Sequence, residues 1–115
     1  MPLAGTYNII TDQGTTFSRV LTYKDNAGIP INLTNYTAKM QVRPATDSST
    51  VLVELSTANG RITLGGALGT ITLNAPASVM DFEGGVYVYD LELTTGASVT
   101  RVVMGSFTNR AEVTK

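Results

Sequence analysis

Glu83-Gly84-Gly85-Val86-Tyr87-Val88-Tyr89-Asp90-Leu91-Glu92-Leu93 is the stretch whose side-chain order decides the fold. After two glycines suited to a turn, Tyr87, Tyr89, Leu91 and Leu93 fall on one face, and Val88, Asp90 and Glu92 on the other. A period of two is that of a pleated strand with one face buried and one wet. Upstream, Tyr36, Ala38, Met40 and Val42 alternate with Thr37, Lys39, Gln41 and Arg43 until Pro44 stops the pattern. Downstream, Gly96 marks a hairpin into a long final strand, Ser98 to Asn109. The remaining segments repeat this logic.

Thr6 to Ile10 reads as a first short strand, Thr15 to Lys24 as a longer one, and Pro30 to Leu33 as a brief edge strand. Asp25-Asn26-Ala27-Gly28 and Thr34-Asn35 are turns, with Gly28 supplying a positive φ. Val51, Val53 and Leu55 form an inner row. Arg61 to Leu64 and Gly69 to Leu73 read as two arms of one hairpin. Ala75 to Phe82 has no period of two and suits a single helical turn at a corner. The expectation is an all-β chain with about eight or nine short strands, spaced as in an antiparallel β-sandwich. Residues 1–115 form a single domain, with 1–5 and 110–115 as flexible or partner-contacting arms.

Composition narrows the chemistry. Charged residues are 15% of the chain, against ~25% in an average soluble domain. Thr, Ser, Asn and Gln carry most of the polarity, which fits a subunit packed against neighbours. A formal net charge of -1 provides no field to attract nucleic acid or anionic lipid. With no Cys, neither a disulfide nor a thiolate metal site can form; with no His, the commonest general base and transition-metal ligand are missing. No apolar run approaches the ~20 residues of a membrane helix, and Met1 to Gly5 carries no basic leader. Synthesis in a cytoplasm, with release by lysis, is the expectation.

Asp90 and Glu92 share a strand face and Asp81 and Glu83 flank a corner, but they read as solvated outer-face and corner residues. Lys24, Lys39 and Lys115 look exposed, so no Ser or Thr has an activating base. Gly65-Gly66-Ala67-Leu68-Gly69 lacks the Lys-Ser/Thr and helix of a phosphate loop and reads as a hairpin connection. The sequons at Asn32 and Asn35 lack a secretory signal. Lys39, Gln41, Arg43, Arg19 and Arg101 are candidates for a weakly basic face. No catalytic, cofactor-binding or metal residues are assigned, and an enzyme is not expected.

Two resemblances add to this reading. Glu83-x-Gly85-x-Tyr87-x-Tyr89 resembles the Asp-x-Gly-x-Tyr-x-Cys start of strand F in immunoglobulin domains, with Tyr87 at the tyrosine-corner position and Tyr89 in place of the cysteine. The run Tyr7 to Phe17, then Tyr23-Lys24-Asp25-Asn26-Ala27-Gly28-Ile29-Pro30-Ile31-Asn32-Leu33-Thr34, then Tyr36 to Arg43, and later Gly85-x-Tyr87-x-Tyr89-Asp90-Leu91, resembles small Ig-like β-sandwich modules of tailed-phage virions over most of the chain. Tail-collar and baseplate-upper proteins contain such modules. The resemblance implies a structural virion protein, a tail, baseplate or collar subunit that forms a homo-oligomeric ring and attaches fibres or other tail proteins. Capsid decoration is the alternative, and a carbohydrate-binding host-recognition module ranks below it. The implied partners are sister copies and other virion proteins, with neither nucleic acid nor membrane. The chain end at Lys115 favours a stand-alone ring or decoration subunit over a fibre.

Overall fold

In chain order, the computed structural model describes residues 5–111 as nine strands: β1 (Gly5–Thr6), β2 (Ile9–Asp12), β3 (Phe17–Thr22), β4 (Thr37–Arg43), β5 (Val53–Ser56), β6 (Ile62–Leu64), β7 (Thr70–Ala75), β8 (Gly85–Thr95) and β9 (Ser98–Arg110). Six form one sheet in the order β1-β9-β8-β4-β5, with β2 also on β9; the other sheet is β3-β7-β6. Two short 3-10 turns, Gly66–Leu68 and Ala77–Met80, are the only helical elements among the described residues. The all-β expectation holds, and the turn expected between Ala75 and Phe82 is the second of these.

Alternation places the core where it was expected. Ala38, Met40 and Val42 of β4 and Tyr89, Leu91 and Leu93 of β8 are buried. Facing them are Phe17 of β3, Ile62 of β6, and Ile71, Leu73 and Ala75 of β7. Each large aliphatic side chain removed from water in this way contributes about 1.5–3 kcal/mol. β6 and β7 form the hairpin read from the sequence, with Ile62 opposite Leu73 and Leu64 opposite Ile71. A bulge in β9 opposite Leu91/Glu92 inserts Val102, so Val102 is buried and the adjacent Val103 packs against the core as well.

The structure corrects the sequence reading at several points. The first strand is split, because Tyr7 and Asn8 leave strand geometry between β1 and β2. Both halves run parallel to β9, so the sandwich is mixed rather than wholly antiparallel. Thr15, Thr16, Tyr23 and Lys24 lie outside β3. Pro30 to Leu33 is not a strand: it supplies only the Lys24–Pro30 bridge, since Pro30 has no N–H to donate and the Asn32 side chain turns onto Thr34. Val51 is exposed and precedes β5. Of the arms expected at 1–5 and 110–115, Gly5 pairs with Val103 and Arg110 with Asp12, both within strands. Residues 1–4 and 112–115 lie outside the described residues.

Candidate functional site

The outer face of the six-stranded sheet gathers most of the polar residues singled out from the sequence. Register places Lys39 opposite Glu92, Gln41 opposite Asp90 and Arg43 opposite Val88 across β4 and β8. From β9, Arg101 stands opposite Glu92 and Met104 opposite Asp90. Between them lies a shallow depression of about 590 Å³, lined by Gln41, Arg43, Val88, Asp90, Arg101 and Met104 among others. Asp90 and Glu92 share this face, as a period of two requires.

Four polar side chains of this depression, Gln41, Arg43, Asp90 and Arg101, are engaged with one another or with adjacent residues. Arg101 Nε stands 3.2 Å from Asp90 Oδ2. Arg43 donates from Nη2 to Gln41 Oε1 at 2.6 Å and from Nη1 to the Ser48 carbonyl. Gln41 donates from Nε2 to Glu54 Oε1 at 2.7 Å. A chain of cis partners leaves a nearly neutral surface, flanked by the exposed side chains of Val86 and Met104. Among the described residues, no three acidic side chains converge as metal ligands would.

Arg19 does not belong to this face. It lies on the inner row of β3 between Phe17 and Leu21, its guanidinium 5.2 Å from the Phe17 ring centre. It donates to the Ser18 carbonyl at 2.9 Å and across to the Ile10 carbonyl of β2 at 2.7 Å. Thus it ties the two sheets together at one side of the sandwich. The alternation Phe17-x-Arg19-x-Leu21 carried that signal, which charge alone had obscured.

The other candidates are structural. Gly65 to Gly69 forms the β6–β7 connection, where Gly69 has φ +68° and a Cβ would lie 2.9 Å from the Tyr23 carbonyl. The Glu83 carbonyl accepts the Tyr87 hydroxyl at 2.5 Å, and Asn109 Nδ2 donates to the Phe82 carbonyl at 2.8 Å. Asp81, Lys24 and Lys39 are exposed, and Lys115 lies outside the described residues. Asn32 Oδ1 accepts from the Thr34 N–H and hydroxyl, making a local turn. Asn35, the second sequon, adopts a left-handed φ of 70° in that turn.

One constellation was missed from the sequence. Tyr89 points into the core, and its hydroxyl donates to the Tyr7 carbonyl, 82 residues away, at 2.5 Å. Burial holds this phenol well above its usual pKa of 10.0, with Tyr7 adding to the shift. Opposite Tyr89 in β9 stands Gly105, where a Cβ would lie 2.5 Å from the Tyr7 carbonyl oxygen. Asn8 Oδ1 completes the joint by accepting the Ser106 N–H at 3.1 Å. Farther along, Arg110 grips Asp12 in a two-bond ion pair, 2.7 and 3.1 Å, which lowers the Asp12 pKa from 3.8. No family model matches the chain, and no curated protein matches it.

Proposed function

We propose that this chain is a non-enzymatic structural subunit of a tailed-phage virion, an Ig-like module of the tail, baseplate or collar. It assembles as a homo-oligomeric ring in the bacterial cytoplasm and holds fibres or other tail proteins. The observation that carries the subunit reading is its surface: charges are few, 15% of the chain, while Tyr7, Ile10, Val20, Ile29, Val51, Leu68, Val86, Val99 and Met104 stay exposed. Such a surface gains from being covered by neighbours, through many modest contacts. The phage assignment itself rests on the sequence resemblance carried by residues Tyr7 to Arg43 and Gly85 to Leu91.

The Ig-like part of the reading is supported by topology. β2 runs parallel to the last strand, β8 lies between β9 and β4, and β3-β7-β6 covers the opposite side. That order corresponds to an A′GFCC′ sheet over a BED sheet. Tyr87 bonds back to the Glu83 carbonyl at the corner before β8, as a tyrosine corner does.

Gold-labelled antibody against the chain, applied to particles from lysates of the host that carries the gene, tests the role. Label at the tail or collar is the expected result. Label over the head would replace the tail reading with capsid decoration, and unlabelled particles would end both. Light scattering on the purified protein should give a discrete homo-oligomer.

A further inference from the structure

β5 is the last strand of its sheet, and a single turn occupies its outward backbone groups. The Thr57 N–H donates to the Ala38 carbonyl, in continuation of the antiparallel β4–β5 register. Val53, Leu55 and Thr57 therefore turn their backbone groups toward β4, and Glu54 and Ser56 turn theirs outward. Asn59 Oδ1 accepts the Ser56 N–H at 3.0 Å, and Asn59 Nδ2 donates to the Glu54 carbonyl at 3.0 Å. The Arg61 N–H donates to the Ser56 carbonyl at 3.1 Å and to Asn59 Oδ1 at 3.0 Å, and Arg61 Nη1 reaches the Glu54 carbonyl at 3.3 Å. One amide side chain thus stands in for much of a neighbouring strand.

That amide is chemically labile. Asn59 is the one asparagine of the chain that glycine follows, and glycine has no side chain to shield its nitrogen. Asn59 and Gly60 are both exposed. A Cβ at Gly60, where φ is +78°, would meet nothing within 4 Å, so hydroxide and water reach this turn. After hydroxide takes its proton, the Gly60 nitrogen bonds to Asn59 Cγ. Nδ2 leaves as ammonia with a proton from water, and a cyclic imide closes. Water then opens the imide at Cγ, giving aspartate, or at the Asn59 backbone carbonyl carbon, giving isoaspartate.

The folded turn opposes ring closure. Drawing Asn59 Cγ onto the Gly60 nitrogen pulls its amide away from Ser56, Arg61 and Glu54. The Asn59 N–H is itself held by Ser56 Oγ at 3.0 Å, and the Gly60 N–H by the Thr57 carbonyl at 3.4 Å.

We propose that Asn59–Gly60 is a self-modification site that the β5 cap holds in check, and that its conversion to isoaspartate releases the cap. In the product the main chain runs through Cβ and Cγ, and the new carboxylate has no hydrogen to give the Glu54 carbonyl. The outward groups of Glu54 and Ser56 are then free. The inference stands apart from the virion role and survives that role's failure.

Full-length protein aged at mildly alkaline pH, then digested and read by mass spectrometry, tests the restraint. Amide-to-acid conversion in denaturant should concentrate at Asn59, and at that site should run about 10-fold slower in the folded protein. Ser56→Ala, which removes the bond to the Asn59 N–H, should narrow that gap while the rate in denaturant stays the same. Equal rates in folded and denatured parent, faster conversion in the fold, or no change in Ser56→Ala would overturn it. The isoaspartate form, separated from aged folded protein by ion exchange through its added negative charge, tests the release. Its Ser56 N–H should exchange about 10-fold faster than in the parent, while the Leu55 N–H, turned toward β4, keeps its rate. Unchanged Ser56 exchange, or equal loss of protection at Leu55, would overturn release of this edge.

Discussion

The two long sides of the sandwich are closed by different kinds of interaction. On the β5–β6 side, Asn59 and Arg61 cap the edge through bonds to residues two to seven positions away. On the β2–β3 side, one short link, Arg19 to the Ile10 carbonyl nine positions away, is outnumbered by bonds that fasten the opening strands to β8 and β9 across 82 and 98 positions: Tyr89 to Tyr7, Ser106 to Asn8 and Arg110 to Asp12. Short-range bonds form cheaply as soon as a connection folds. Long-range ones wait until the first and last strands meet, because the entropy of closing that loop must be spent first. One side is locally written, the other depends on the whole chain. β1 and β2 should therefore dock last.

The largest predicted effect strikes the chain-dependent side. Phe107 packs in tilted and edge-on contacts with Phe17, Phe82 and Tyr89, so Phe107→Ala should cost roughly 3–5 kcal/mol in denaturant melts. Next comes Gly105→Ala, whose Cβ would press the Tyr7 carbonyl and Asn8 side chain. It should cost about 2 kcal/mol and free the β1 and β2 amides for exchange, while the amides of β5 and β6 keep their protection. A loss spread evenly over both sides would break the distinction.

Asn59→Ala sharpens the comparison from the other direction. It removes three bonds at the capped edge, so about 1–2 kcal/mol should be lost, with β2 exchange unchanged. Tyr89→Phe should cost about 1 kcal/mol near neutral pH. Its pH dependence has a definite sign. The folded phenol keeps its proton beyond the usual pKa of 10.0, so the parent loses stability as pH rises through that value, and Tyr89→Phe should decline less steeply. The smallest effect belongs to Asp12→Asn, at an exposed ion pair, with a melting shift of about 2 °C or less. The Asp12 pKa is lowered in the fold, so this difference is present above the ordinary carboxylate range and disappears as pH falls through the folded value.

What was legible in the sequence follows the same division. β4, β7 and β8 could be read because period-two rows and turn residues are local signals, and each contributes buried residues to the core. The split between β1 and β2 could not be read. It depends on Gly105 leaving room for Tyr7, a match between positions nearly a hundred residues apart. Arg19 was placed outward from its charge, although its neighbours Phe17 and Leu21 pointed inward. The basic face was half legible: alternation brought Lys39, Gln41 and Arg43 together, yet the placing of Glu92 opposite Lys39, the Gln41 bond to Glu54 and the pairing of Asp90 with Arg101 required the strand order.

Tyr89 fastens β8 to the opening segment through its phenol, which reaches the Tyr7 carbonyl without a covalent cross-link. A latch of that kind has no redox potential. Glutathione, air and thiol reagents leave it alone, and no isomerase is needed to find the correct pairing. The same fastening forms in reducing and in oxidising media alike.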